Sequence, residues 1–162
     1  MRYDTVMPTE IERKFLVIGD SWKKNISRTV PIKQGYLANT ERGSIRVRIA
    51  DGAACLNIKS MTIGITRTEY EYAIPMGDAE NLMQNFCLQP LIEKVRYYVE
   101  VDEHTWEIDV FEGENMGLVI AEIELTDSEE IFSKPDWVGR EVSDEPRYYN
   151  ICLVEHPYRK WG

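Results

Sequence analysis

Residues 10–17 read EIERKFLV, and their alternating character decides the fold. Glu10, Glu12 and Lys14 fall on one parity, whereas the apolar Phe15 falls on the other. Successive side chains of a β-strand point to opposite faces of a sheet. The stretch therefore predicts a strand with one apolar face and one face that carries two acids and a base.

The same alternation recurs along the chain and predicts a sheet-based domain. We predict strands at about 9–17, 31–38, 44–50, 53–60, 66–74, 91–101, 104–112 and 117–125. Most connections are short, and several contain Gly, Asn or Asp, so neighbouring strands are expected to be antiparallel. We therefore predict an α+β fold over 1–162 as a single domain, with an eight-stranded antiparallel sheet closed or nearly closed into a barrel and surrounded by helices.

Helical signals are fewer and lie after or between the strands. They predict helices at 19–27, at 76–87 with Asp78 as N-cap, at 126–132 with Thr126 and Glu129 as a capping box, and at 145–157.

Composition argues against several classes of function. The chain has 162 residues and a net charge of −9, with 43% hydrophobic and 29% charged residues. This composition is typical of a globular domain, and an acidic domain is not expected to bind nucleic acid. We find no signal segment, and no apolar run reaches the roughly 20 residues of a membrane helix. A cytoplasmic location is expected, with Cys55, Cys87 and Cys152 as reduced thiols and no membrane partner.

The polar columns of the predicted strands are almost purely ionic. The bases on this parity are Arg46, Arg48, Lys59, Arg67, Lys94 and Arg96. The acids are Glu10, Glu12, Glu69, Glu71, Glu107, Asp109, Glu122 and Glu124. One such column is typical of a solvated sheet face, where uncharged polar residues accompany the charges. The whole set indicates instead a tunnel with a charged interior that contains both signs.

An interior that contains both positive and negative side chains is suited to a ligand that can bind both kinds of charge. Arg and Lys bind phosphate oxygens, whereas Glu and Asp bind hard cations such as Mg²⁺ or Mn²⁺. A complex of polyphosphate with metal satisfies both demands. The apolar columns would then face outward, where either a lipid bilayer or amphipathic helices could cover them; the helices favour the second interpretation.

These motifs resemble those of the CYTH superfamily, the triphosphate tunnel metalloenzymes, and in particular its compact bacterial inorganic triphosphatases. EIERKFLV matches the E-x-E-x-K signature. It is followed in order by QGYL, the R-x-R of IRVRI, the Lys of NIK, the E-x-E of TEYEY, the K-x-R of EKVRY, WEIDVFEG, the E-x-E of AEIEL and WVGREVSDEPRYYN. The resemblance spans nearly the whole chain. It implies an eight-stranded antiparallel tunnel surrounded by helices, in agreement with the parity pattern.

The resemblance also implies roles for the ionic columns. It makes Glu10, Glu12, Glu122 and Glu124 metal ligands, with Glu69, Glu71 and Asp109 as further candidates. It makes Arg46, Arg48, Lys59, Lys94 and Arg96 the triphosphate-binding residues. Lys14 and Tyr36 resemble a lysine–tyrosine pair linked to catalysis, and Lys14 is either a phosphate ligand or a catalytic group. Glu12 is a catalytic candidate because a glutamate, or a second metal ion, could activate the attacking water.

The expected activity is metal-dependent hydrolysis of inorganic triphosphate (tripolyphosphate) to diphosphate and phosphate, with Mg²⁺ or Mn²⁺ as cofactor and nucleoside triphosphates as further substrates. The alternatives are a class IV-type adenylate cyclase, a thiamine triphosphatase, and a non-catalytic polyphosphate-binding module. Dimers occur in the family, so a homodimer is an open expectation. The role of Arg67 is left open, and structural roles are expected for His104, His156, Trp137, Arg140, Tyr148 and Tyr149, the two tyrosines and Trp137 packing a closing helix.

Overall fold

The computed structural model describes residues 7–162, and its organising element is one sheet that closes on itself. The strands are β1 (Thr9–Val17), β2 (Ile26–Asn39), β3 (Gly43–Ala50), β4 (Ala53–Ser60), β5 (Thr66–Ile74), β6 (Ile92–Val101), β7 (His104–Phe111), β8 (Val119–Leu125) and β9 (Val138–Glu141). Neighbours are antiparallel in the order β5-β4-β3-β2-β6-β7-β8-β1, and β1 also pairs with β5. Eight strands therefore form a closed barrel, which confirms the predicted fold.

The first strand closes the barrel because it divides one edge between two partners. Its N-terminal half pairs with β5, and its C-terminal half pairs with the short β9, which the sequence did not predict. Its other edge pairs with β8, so that Glu12 lies opposite Glu124 and Lys14 lies opposite Glu122. The ionic face of EIERKFLV is therefore joined to the ionic face of β8.

The apolar parity faces outward and is covered by two hydrophobic groups. The helix α1 (Met76–Asn85) covers β3 and β4, with Met83 packed against Val47. The second group lies over β1, β7 and β8, where Trp106 is fully buried and contacts Phe15 and Trp137 edge to face, with ring centroids 5.6 and 5.4 Å apart. Trp137 therefore packs on the barrel wall, and the prediction that it packs a closing helix is wrong.

At one end of the barrel the inward-facing columns change from charged to apolar. The residues that continue the ionic parity there are Leu16, Ile92, Phe111 and Ile120. They pack with the helix α2 (Asn150–Glu155) and with the 3-10 helix Pro146–Tyr148 that precedes it. We call this hydrophobic group the floor. Tyr148 and Tyr149 belong to the floor and pack with α2, the helix that closes this end of the barrel, as predicted.

Several predicted helices differ from the observed ones. The segment at 19–27 is only a 3-10 helix, Ser21–Asn25, and Pro75 rather than Asp78 occupies the N-cap of α1. Residues 126–132 form no helix, and the backbone N–H and the hydroxyl of Thr126 both donate to Glu130 rather than to Glu129, at 2.6 and 2.8 Å. The described chain thus has two short α-helices, so the predicted surrounding helices are fewer than expected. None of the helices in the described part of the chain has the length and apolar character that a membrane span requires.

Candidate active site

The polar part of the barrel encloses a cavity of about 500 Å³. Every site residue predicted from the sequence lines it, apart from Asp109. The lining residues from that prediction are Glu10, Glu12, Lys14, Tyr36, Arg46, Arg48, Lys59, Glu69, Glu71, Lys94, Arg96, Glu122 and Glu124. The closed sheet therefore brings together side chains that lie more than a hundred residues apart along the chain.

The charges around this cavity are separated by sign. The consecutive strands β4, β3, β2 and β6 form a basic wall, with Lys59, Arg46, Arg48, Arg28, Lys94 and Arg96. The consecutive strands β7, β8, β1 and β5 complete the circle as an acidic wall, with Glu107, Glu122, Glu124, Glu10, Glu12, Glu69 and Glu71. Two bases, Lys14 and Arg67, also lie on the acidic wall. A ligand in the cavity would meet cations on one side and carboxylates on the other.

Lys14 is enclosed by acids of its own wall. Its ammonium group donates to Glu12 at 2.8 Å and also pairs with Glu122. Burial disfavours the charged form, but the two carboxylates outweigh burial and raise the pKa of Lys14 above its ordinary value. The backbone N–H of Lys14 donates to the hydroxyl of Ser143 at 2.9 Å, which fixes the strand at this point. With both carboxylates as partners, Lys14 therefore carries its proton at neutral pH.

Tyr36 lies on β2 on the basic side of the cavity, whereas Lys14 lies on β1 on the acidic side. It is opposite Arg46 in the β2–β3 register, and its ring belongs to the floor. Within residues 7–162 no hydrogen bond joins Tyr36 to Lys14, whose ammonium group bonds to Glu12 and Glu122. The two residues line one cavity, and their joint role in catalysis stays a prediction.

Asp109 lies on β7 between the cavity residue Glu107 and the floor residue Phe111, and it binds two cations of the basic wall. Arg96 donates to it from Nε at 2.7 Å and from Nη2 at 2.8 Å, and Lys94 donates at 2.5 Å. Asp109 is 0% exposed; burial opposes its charge, but Arg96 and Lys94 outweigh burial and lower its pKa. These contacts favour a structural role for Asp109 over the metal-binding role predicted for it.

A hydrogen-bond network joins the two walls at β4 and β5. Lys59 pairs with Glu10 at 2.9 Å and with Glu69 at 3.5 Å. The amide group of Asn57 donates to both Glu69 and Glu71 at 2.8 Å. Asn57 is fully buried, so this network fixes the positions of both β5 carboxylates.

Several buried donors at the cavity have no partner. Within residues 7–162 these are Nε of Arg46, Nε of Arg67 and Nε2 of Gln34. The carboxylate that pairs with Arg46, that of Glu69, is 3.7 Å away. Buried N–H groups are nearly always hydrogen-bonded in native proteins. Donors that lack an acceptor beside the cavity therefore fit an anion with several oxygens, such as a phosphate.

Glu124 has the surroundings that favour a bound cation. No base in the described chain pairs with it, and burial together with the carboxylates of Glu10, Glu12 and Glu69 raises its pKa. A hard divalent cation among these oxygens would relieve the repulsion. The fit is one of donor chemistry, because among residues 7–162 no three acidic, histidine or cysteine side chains form a preformed metal site.

Glu107 lines the cavity, and the sequence pattern placed it among the inward-facing acids without predicting a role for it. Its carboxylate pairs with Arg96. Burial, opposed by Arg96 and reinforced by Glu122, raises the pKa of Glu107 to about 7. Its parity with Asp109 already placed it inside the barrel, but no motif distinguished it from the other acids.

Other cavity residues were missed for different reasons. Gln34 shares the parity of Tyr36 in QGYL, a signal that was available. Arg28 lies in the part of β2 that precedes the predicted strand. Asn150, which accepts from Lys94 at 3.5 Å, lies in the closing helix and ends the motif WVGREVSDEPRYYN, to which no cavity role was assigned.

Two residues expected to be structural lie outside the cavity lining. His104 contacts the carboxylate of Glu130 at 2.7 Å, and Arg140 pairs with Glu145. Tyr149 belongs to the floor but also lines the cavity.

Comparisons with known proteins agree with this geometry. The family model of the CYTH domain matches residues 8–151. A relative from Acetivibrio thermocellus, named inorganic triphosphatase, is 47% identical over 155 residues, which cover 96% of this chain and 99% of that protein. A relative of the same name from Nitrosomonas europaea is 35% identical over 150 residues, which cover 90% and 97%.

A solved structure shows the same likeness. The crystal structure of an inorganic triphosphatase superposes with a TM-score of 0.65 at 32% identity, covering 91% of this chain and 95% of that one. The match to the family model, the near full-length relatives and the closed eight-stranded tunnel lead to one conclusion. The chain belongs to the CYTH domain family.

Proposed function

We propose that this chain hydrolyses inorganic triphosphate to diphosphate and phosphate, with Mg²⁺ or Mn²⁺ as cofactor. One observation carries the proposal: a basic wall and an acidic wall face each other across a single cavity. The near full-length relatives named inorganic triphosphatase support it. Family membership implies a metal-dependent enzyme, and the choice of metal is part of the proposal.

The basic wall would bind the triphosphate. Arg48 and Lys59 provide charges next to the open Nε donor of Arg46, and Gln34 adds an uncharged donor nearer the floor. Phosphoryl transfer needs charge neutralisation and correct placement more than covalent help. Fixed cations that are already held by carboxylates supply this charge without rearrangement.

The acidic wall would hold the metal. Glu10, Glu12 and Glu124 are the first candidates because their carboxylates lie close enough to raise the pKa of Glu124, and no base in the described chain pairs with Glu124. A divalent cation, when bound, polarises phosphoryl oxygens and neutralises part of their charge. The oxygen-rich donor set suits Mg²⁺ or Mn²⁺.

Lys14 would act as a phosphate ligand. An ammonium group has three N–H donors, and Glu12 and Glu122 accept two of them, which leaves one for a phosphate oxygen. In the reaction the oxygen of a water molecule bonds to a terminal phosphorus, and the bridging P–O bond breaks. Glu12 is the candidate to accept the water proton, because Lys14 already carries one.

The test is a substrate panel with purified protein. Tripolyphosphate, ATP and thiamine triphosphate are supplied with Mg²⁺ or Mn²⁺, and phosphate and cyclic AMP are both measured. We expect phosphate release from tripolyphosphate to dominate, and Glu12→Gln to abolish it while circular dichroism stays unchanged. Dominant cyclic AMP would indicate a cyclase, and tight tripolyphosphate binding without phosphate release at neutral and alkaline pH would indicate a binding module.

We also propose that the protein is located in the cytoplasm. That it forms a homodimer stays a prediction. Cys55, Cys87 and Cys152 are all free thiols, as expected for a reducing compartment. Light scattering of the purified chain measures the oligomeric state directly.

A further inference from the structure

We infer that Arg67 binds a phosphate group of the substrate from the acidic wall, and that Tyr149 positions it. The inference rests on the proposed function for the identity of the substrate, inorganic triphosphate. It assigns a second phosphate-binding cation, after Lys14, to the acidic wall, so that the anion would be held from both sides.

Arg67 differs from the other bases that line the cavity in having no carboxylate partner among residues 7–162. The bases that do form ion pairs are Lys14, Arg28, Arg46, Arg48, Lys59, Lys94 and Arg96. Arg67 lies opposite Glu10 in the β1–β5 register, yet Glu10 pairs with Lys59 instead, at 2.9 Å. A cation on an acidic wall that forms none of the available pairs has its charge free for a ligand.

Tyr149 contacts the guanidinium group of Arg67 as a cation–π partner. The Cζ atom of Arg67 lies 5.2 Å from the centroid of the Tyr149 ring. The ring is itself fixed, because its hydroxyl donates to the carbonyl of Ser143 at 2.6 Å and accepts from the N–H of Gly64 at 3.3 Å. A cation–π contact uses no N–H group as a hydrogen-bond donor to an oxygen, so the N–H groups of Arg67 stay available.

Arg67 has N–H groups that lack a good acceptor in the described chain. Its Nε is buried without a partner, and its Nη2 makes only a long contact, 3.5 Å, to the carbonyl of Gly64. A guanidinium edge matches two oxygens of a phosphate. Placed among Glu10 and Glu69, it would also reduce the repulsion between the acidic wall and the anion.

Binding of sodium tripolyphosphate by calorimetry, in EDTA so that no turnover occurs, tests the inference. Arg67→Gln should weaken binding at least about tenfold, since a hydrogen bond to a charged group is lost. Arg67→Lys should recover only part of the affinity, because lysine keeps the charge but lacks the planar edge. Arg140→Gln, which removes an exposed guanidinium on the outside, is the control and should bind as the wild type does.

Tyr149 is tested by a matched pair of variants. Tyr149→Phe keeps the ring and should bind tripolyphosphate within about threefold of the wild type, whereas Tyr149→Leu removes the stacking surface and should bind about fivefold more weakly. Wild-type affinity in Tyr149→Leu would overturn the positioning role.

Thermal unfolding separates a ligand role for Arg67 from a structural one. A phosphate ligand predicts that Arg67→Gln and wild type unfold at similar temperatures without tripolyphosphate, and that the variant loses most of the rise caused by tripolyphosphate. Unchanged affinity in both Arg67 variants would overturn the inference. Wild-type protein that binds tripolyphosphate but releases no phosphate would instead overturn the proposed function, and the binding comparison would still decide the role of Arg67.

Discussion

Lys14 and Glu122 face each other across the β1–β8 ladder and form an ion pair whose side chains are only 7% and 6% exposed. Glu122 also accepts from Arg96 at 2.9 Å. Glu122→Gln should therefore lower the free energy of unfolding by about 3 kcal/mol, because two buried cations lose a shared carboxylate. Urea unfolding measures this loss.

The exposed pair of Arg140 and Glu145 provides the control for that experiment. Glu145→Gln should cost less than about 1 kcal/mol, since solvent screens the pair. Equal costs for Glu122→Gln and Glu145→Gln would show that the buried pair contributes no more than an exposed one.

Substitutions of Asp109 and Glu124 should affect the stability of the protein and its response to metal in opposite ways. Asp109→Asn should destabilise the protein by about 3 kcal/mol or more, because Lys94 and Arg96 lose a fully buried carboxylate. Glu124→Gln should leave the metal-free protein as stable as the wild type, because the raised pKa of Glu124 shows that its charge is disfavoured.

Thermal unfolding with and without MgCl₂ or MnCl₂ tests both variants. Asp109→Asn should keep the rise in unfolding temperature that the metal causes, and Glu124→Gln should lose most of it. The reverse pattern would return Asp109 to the metal site and remove Glu124 from it.

The barrel and most of its lining were predictable because the signal is local. In a strand, inward and outward positions alternate, so three consecutive residues are enough to predict that Glu10 and Glu12, or Arg46 and Arg48, lie on the same face. Closure was predictable for the same reason: ionic columns that are basic on some strands and acidic on others need a common interior. The alternation does not indicate how far along the barrel axis a side chain lies. For this reason Asp109 was grouped with the acids that line the cavity.

The segments that close the barrel could not be predicted because tertiary contacts decide them. Thr126 and Glu129 have capping-box spacing, but Phe132 is drawn away to pack on Phe15 and Trp106, at ring distances of 6.1 and 5.7 Å. The contact of Tyr149 with the cavity depends in the same way on how the chain returns after β9. A periodic sequence pattern does not predict the path of the chain between elements.

Glu107 should make stability depend on pH. Its pKa is raised from 4.5 to about 7, so between these values the native state holds a proton that the unfolded state has released. Its contribution to stability is therefore greatest at low pH and declines as the pH rises towards 7. The free energy of unfolding of wild type minus that of Glu107→Gln should fall by roughly 3 kcal/mol between pH 4.5 and pH 7. Urea unfolding in EDTA measures it, and a difference that stays constant over this range would contradict the raised pKa.

Gly35 of the QGYL motif should tolerate no side chain, for reasons of space. A Cβ atom there would lie 2.7 Å from Sγ of Cys87 and 2.8 Å from Cδ2 of Leu91. Gly35→Ala should therefore lower the free energy of unfolding by about 1–3 kcal/mol. It should also weaken tripolyphosphate binding, because the neighbouring residues Gln34 and Tyr36 line the cavity.

Two further variants decide whether crowding is the cause. Cys87→Ala removes the nearest atom, so the double variant with Gly35→Ala should be more stable than the sum of the single effects predicts, by at least about 0.5 kcal/mol. Gly77→Ala, in α1 where nothing lies within 4 Å of the added Cβ, should be neutral or stabilising. Strict additivity of Gly35→Ala and Cys87→Ala would mean that the glycine is needed for its backbone rather than for the space beside Cys87.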